Sequence, residues 1–182
     1  MKVQVLKSLA AALAVVFALV AAPAPISADG APQAPILRLE LGMHSAKGRQ
    51  VGMDAQGRFV ITSSYDKTAR LWDASSGQLL RIYRVPSDED SQTGMLYASV
   101  LSPDGRIAAM GGYDWKAGVY LFDRQSGQMF KRLSGLANTI ERLRFTPDGE
   151  FLAAGLWGKS GCAVWRTRDW SLVGVDRAVG DD

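Results

Sequence analysis

From Ala34 onward, short runs with period-two alternation or a β-rich apolar content follow one another, and almost no stretch repeats at the 3.6-residue spacing of a helix. RFVITSS (58–64), RIAAMGG (106–112) and EFLAAGL (150–156) are examples, and Gly, Asp, Pro and Ser separate them. Alternation with period two sends one set of side chains to a buried face and the other outward. These runs therefore predict strands, and the residues between them predict turns. The pattern as a whole predicts an all-β chain.

The runs come in a fixed order. Three turns align: DAQG ending at Gly57, SPDG ending at Gly105 and TPDG ending at Gly149, spaced 48 and 44 residues apart. Each leads into one of the strands above. Each strand then leads through a turn into a second one: ARLWDA, GVYLFDR and CAVWRT. Trp72, Phe122 and Trp165 fall 15 to 17 residues after the turn glycine. A further turn and a further strand (QLLRIYR, QMFKRLSG, SLVGVD) close each unit. Four strands in a period of about 40–45 residues are the signature of a β-propeller blade. The repeats are expected at roughly 43–86, 87–135 and 136–176, within a propeller segment over 35–182.

The stretch SSYDKTARLWD (63–73) resembles the WD-repeat (WD40) family, and the resemblance extends from Ala34 to about Asp176. It is strongest in the first repeat. Phe122-Asp123 and Trp165-Arg166 replace the Trp-Asp pair in the other two. The resemblance implies a structural hydrogen-bond network: a His before the first strand, a Ser or Thr in the second, an Asp in the next turn and the Trp of the third strand. Carried over by position, these are His44, Ser63 or Ser64 (Ser64 being taken), Asp66 and Trp72. Leu136 and Gly158 stand at the His and Asp places of the third repeat, and Asp114 keeps the Asp place in the second. Those repeats are expected to rely on packing.

A lone strand, PILRLELG (35–42), precedes the first unit. Rings of this type have roughly four to eight blades, so three blades and one strand are an incomplete ring. The expectation is an N-terminal portion of a longer protein, or self-association through open blade edges, since unpaired edges are sticky.

The N-terminus changes the picture of charge. Lys2 and Lys7 precede an apolar run from Leu9 to Ala22, and ISA (26–28) supplies small residues before Asp29. This is a bacterial-style secretory signal over 1–28, followed by a linker over 29–34, with cleavage expected after Ala28. The run is too short to span a bilayer comfortably, so no membrane attachment is expected after cleavage, and the mature chain is expected to be periplasmic or secreted. Removing Lys2 and Lys7 from the 21 basic residues leaves 19 against 18 acidic ones. A near-neutral remainder without a basic run argues against a nucleic-acid partner.

Little in the chain suggests chemistry. Cys162 is the only cysteine and His44 the only histidine; they lie in different repeats, with no third orienting group indicated. GLWGKSG (155–161) runs into a strand, where a phosphate-cradling loop would open a helix. No catalytic residue, cofactor or metal is assigned. Asp88, Glu89 and Asp90 form an acidic tip on the longest loop, a candidate partner contact. Trp115, Trp157 and Trp170 lie at turns or strand ends, either as contact anchors or as packing. The reading is an exported, non-catalytic scaffold for protein–protein interaction. As a second resemblance, PILRLELGMHSAKGRQVGMDAQGRFVITSSYDKTARLWD through LWGKSGCAVWRTRDWSLVGVDR is similar to the propeller part of bacterial proteins that join WD repeats to a caspase-like peptidase. That implies a target-recognition region whose catalytic domain lies elsewhere.

Overall fold

The computed structural model describes residues 42–86, 93–114 and 117–176. The expected signal, linker and most of the lone strand, the Asp88–Asp90 tip and Trp115 lie outside the described residues.

Twelve strands form three four-stranded sheets. The first sheet holds β1 (Gly48–Met53), β2 (Phe59–Ser64), β3 (Thr68–Asp73) and β4 (Leu79–Arg84). The second holds β5 (Leu96–Leu101), β6 (Ile107–Gly112), β7 (Val119–Asp123) and β8 (Met129–Leu133). The third holds β9 (Ile140–Phe145), β10 (Phe151–Leu156), β11 (Cys162–Arg166) and β12 (Ser171–Asp176). Each sheet is an antiparallel meander in chain order, and no sheet joins another to close a barrel. These are three propeller blades in an unclosed array, as the spacing predicts.

The blades repeat down to their irregularities. A register shift falls at Leu71/Trp72, at Phe122 after Leu121, and at Val164/Trp165, each time in the ladder between the third and fourth strands. An extra residue at that point bends the outer strand and increases its local twist. The turn glycines Gly57, Gly105 and Gly149 all have φ near +70°, a conformation in which a Cβ would be strained. Trp170 takes the equivalent left-handed position (φ 59°) where Gly77 and Gly127 end the corresponding turns of the other blades. Asp73, the acidic half of the Trp-Asp pair, ties its own turn: Oδ1 accepts from the amides and hydroxyls of Ser75 and Ser76. Those hydrogen bonds bring its carboxyl down to about 2.

Two apolar clusters lie between successive blades. Ile61, Leu71 and Tyr83 of the first blade meet Leu96, Leu101, Met110 and Phe122 of the second. Ala109, Val119 and Leu121, from the opposite face of the second blade, meet Ile140, Leu143, Phe145, Leu152 and Trp165 of the third. Both faces of the middle blade are therefore buried, and β7 is buried over four of its five residues. The aromatic residues of the third strands in the second and third blades point toward the preceding blade. Phe122 and Trp165 are almost fully enclosed, at 5% and 3% exposure. Trp72, with no described blade before it, is only partly buried.

Candidate functional site

The polar network of the first blade is built around one hydroxyl. Thr62 Oγ1 accepts the indole N–H of Trp72 at 3.0 Å and lies 2.9 Å from His44 Nε2. His44 Nδ1 lies 2.9 Å from Asp66 Oδ2, which also accepts the Ser45 amide at 3.1 Å. The other carboxylate oxygen of Asp66 accepts the Thr68 hydroxyl at 2.6 Å and the Thr68 amide at 3.0 Å. Arg70 stands 3.5 Å from the carboxylate. The network runs Asp66–His44–Thr62–Trp72, and it joins the segment before β1, the turn after β2, and strands β2 and β3.

The structure brings His44, Asp66 and Trp72 together, and Thr62 takes the place expected of Ser64, a correction to that residue. The Ser64 hydroxyl donates to the Ala46 carbonyl at 3.0 Å and accepts the Asp66 amide at 3.1 Å, so it supports the turn and does not join the indole. Ser63 faces the other side of the sheet and meets Gln50. Register explains the choice. Val60 pairs with Trp72 and Thr62 with Arg70, so Thr62 is the same-face diagonal neighbour of Trp72. Ser64 lies on that face too, one pair further away, while Ser63 has the opposite parity.

Burial alone would raise the Asp66 pKa. The hydrogen bonds from Thr68, His44 and the Ser45 amide outweigh it, and the carboxyl sits below the ordinary 3.8. The ion is thus the form that this blade holds.

The other blades substitute at the same places. Met110 and Ala154 occupy the Thr62 position, given the Ile107–Asp123 and Phe151–Arg166 pairings that match Phe59–Asp73. In the second blade Asp114 instead accepts the Tyr120 hydroxyl at 2.6 Å and Arg132 at 2.8 Å. Tyr120 stands where Arg70 stands in the first blade, so an Asp-to-third-strand tie survives without the imidazole. In the third blade Leu136 packs partly buried against the apolar cluster, and Gly158 turns with φ 65°.

A second cluster gathers the inner strands. The Arg49 guanidinium lies 5.4 and 4.9 Å from the ring centroids of Tyr65 and Tyr97. It reaches across β5 to Glu141 Oε1 at 2.6 Å. Gln50 Nε2 donates to the Leu143 carbonyl at 3.1 Å. One residue of β1 and its neighbour thereby bridge the first and third blades. Burial, together with the Tyr65 phenol, raises the Tyr97 pKa. Sequence reasoning passes over Arg49, Tyr65, Tyr97 and Glu141, because they belong to three repeats and hold different places in each. The available signal is an Arg near the start of an inner strand, with a tyrosine in the turn after the next strand.

The remaining sequence candidates fall as follows. Cys162 is half-buried on β11, and no hydrogen bond brings it to His44. Trp170 packs against the cluster between blades 2 and 3, and its ring lies 6.1 Å from that of Phe130. Trp157 is 54% exposed at the tip of its turn. Among the described residues no group of three His, Cys, Asp or Glu side chains is placed to hold a metal ion.

Residues 44–73 match the family model described as "WD domain, G-beta repeat". That span covers the whole Asp66–His44–Thr62–Trp72 network. The chain is 32% identical over 72 residues to the Periodic tryptophan protein 2 homolog of Neurospora crassa, covering 40% of this chain and 7% of that protein. It is 28% identical over 127 residues to the Guanine nucleotide-binding protein subunit beta of Oryza sativa subsp. indica, covering 67% of this chain and 33% of that one. It is 25% identical over 121 residues to the Serine-threonine kinase receptor-associated protein of Gallus gallus, covering 66% and 31%. The chain thus spans a third or less of the length of each of these curated relatives. The family match on the first blade and these relatives support the WD-repeat family for this chain, whose blade is the unit that its three sheets repeat.

Proposed function

We infer that this chain is a scaffold for protein–protein interaction, exported through its N-terminal signal and non-catalytic. The observation that carries the reading is the rigid fixing of one turn. The Asp66 network anchors the turn between β2 and β3, and the ring of Tyr65 in that turn packs, tilted, 5.0 Å from the ring of Tyr97 of the next blade, with Arg49 beside both. A turn fixed in this way presents side chains at little entropic cost on binding, and Tyr and Arg are the residue types that dominate contact energetics. The relatives' names, which speak of a receptor-associated protein and a subunit, agree with a role in association.

Affinity purification from the periplasm of the producing bacterium tests this, comparing the natural chain with Tyr65→Ala and Tyr97→Ala. A partner retained by the natural chain and lost from both variants, with melting midpoints preserved, is the expected result. Identical protein sets on all three would overturn the assignment of the site. Recovery of the chain in the cytoplasm with residues 1–28 intact would overturn export. On a second reading, the blades select targets for a caspase-like peptidase domain carried elsewhere in a longer protein; the resemblance quoted above is what supports it.

A further inference from the structure

At the junction of the first two blades the turn glycine Gly127 is covered. A Cβ there would run into the Arg81 guanidinium of β4, which also donates to the Gln125 carbonyl at 2.9 Å. Trp170 holds the same place at the next junction. Its amide donates to the Arg166 carbonyl at 2.8 Å, as the Gly127 amide does to the Asp123 carbonyl. Its φ of 59° is a left-handed backbone that is strained for a residue with a Cβ, whereas Gly77 and Gly127 make the same turn freely. Strain of this kind concentrates at sites of function.

Lys131 of β8 holds the Arg81 place, since it pairs with Leu121 as Arg81 pairs with Leu71. At this junction, however, Trp170 has side-chain atoms where the guanidinium lies over Gly127. Lys131 is exposed and has no ion-pair partner among the described residues. Phe130 is the extra residue between the Leu121–Lys131 and Phe122–Met129 pairs. Such a bulge re-aims a side chain, and the Phe130 ring lies 6.1 Å from that of Trp170. Phe130 and Met129 are 49% and 43% exposed. Arg168, in the Trp170 turn, is 76% exposed and 3.7 Å from Asp169, whose other oxygen accepts the Ser171 amide and hydroxyl. No described strand pairs with the outer edge of β8. Both blades that flank β8 are described, so this rim belongs to a fully formed junction.

We propose that the rim over β8 and Trp170 binds an extended segment of a protein partner, acidic and apolar in composition, which adds to β8 as a fifth strand. The free edge offers unpaired amides and carbonyls to such a strand. Phe130, Trp170 and Met129 receive an apolar side chain. Lys131 and Arg168 attract carboxylates beside it. This surface lies on an outer strand and is separate from the Tyr65–Tyr97 turn. It extends the scaffold reading with a second contact, and failure of either contact leaves the other standing.

Random linear peptides displayed as a library and selected on the full chain supply the probe. The expected yield carries Asp or Glu beside an apolar residue. Phe130→Ser and Lys131→Glu should each weaken these peptides about tenfold or more, while Tyr65→Ala leaves them bound. Trp170→Gly, which suits the left-handed turn, should weaken them as well, with circular dichroism checking its fold. Hydrogen exchange of the β8 amides should slow in the complex. Selected peptides without acidic residues, binding that survives Phe130→Ser or Lys131→Glu, or unchanged exchange along β8 would each overturn the proposal. Binding lost only from Tyr65→Ala would overturn it too, and would support the Tyr65–Tyr97 contact instead.

Discussion

The Trp72 indole N–H donates to Thr62 Oγ1 at 3.0 Å, across neighbouring strands and ten positions apart in the chain. The same oxygen faces His44 Nε2 at 2.9 Å. One hydroxyl thus serves both an indole donor and an imidazole, and no other side chain on that face lies diagonal to Trp72 on β2 at the same reach. Thr62→Val keeps the shape and leaves both nitrogens without this partner. The expected cost is about 1–3 kcal/mol, toward the lower end because Trp72 is partly open to water. Thr62→Ser should recover most of it. Thermal melting of the three proteins checks the assignment; an unchanged midpoint for Thr62→Val would remove Thr62 from the network.

Asp66→Ala orphans more donors at once: the Thr68 hydroxyl and amide, the Ser45 amide and His44. A loss on the order of 1–3 kcal/mol is expected from urea unfolding at neutral pH. No change in the urea midpoint would mean that the turn holds without its carboxylate.

The same carboxylate sets an acid limit. The Asp66 carboxyl titrates below 3.8 in the folded chain, and the Asp54 carboxyl, held by the Phe59 and Arg58 amides and the Arg58 side chain, does likewise despite its burial. The unfolded chain takes up these protons first as pH falls. The stabilisation is complete above pH 3.8 and is lost as pH drops through the folded values. Melting midpoints recorded down that range should fall more steeply for the natural chain than for Asp66→Asn. Equal slopes would show that other groups set the acid limit.

Tyr83 predicts a change at the alkaline end. Burial pushes its phenol up to about 12, and its hydroxyl donates to the Arg124 carbonyl at 3.3 Å. The unfolded phenol ionises near 10, so the stability contributed by this group is whole below that pH and lost as pH rises toward 12. Absorbance titration should show a tyrosine ionising near 12, and Tyr83→Phe should abolish that step. Its persistence in the variant would assign it elsewhere.

Close packing between blades is tested by two glycines at equivalent places. Gly111→Ala puts a Cβ at 2.9 Å from Ile140 Cγ1 and 3.2 Å from the Gly118 carbonyl oxygen. Overpacking of this kind costs about 1–3 kcal/mol. Gly155→Ala meets only an ordinary contact with Arg142 and should stay within about 0.5 kcal/mol under the same conditions. Similar losses at both positions would show that Gly155, which follows Phe151 as Gly111 follows Ile107, is covered in the same way.

Much of this architecture is legible along the chain because its determinants are local. Alternation places residues on one face or the other, the DG turns need a left-handed glycine, and the Trp72, Phe122 and Trp165 spacing marks the third strand of each blade. His44, Asp66 and Trp72 are legible for the same reason, each lying at a set distance from Gly57. The choice among Thr62, Ser63 and Ser64 is not, because all three carry a hydroxyl and sit in one run. Only the pairing of β2 with β3 sets which of them lies diagonal to the indole. Arg49 and Glu141 are 92 positions apart, and their 2.6 Å contact exists because three inner strands converge. The sequence by itself determined strands, turns and blade count over 43–176, since those follow from period and from backbone constraints within a few residues. Tertiary structure decided which hydroxyl completes the network and which residues bridge the blades, because the first depends on how two strands pair and the second on how separate sheets stack on one another.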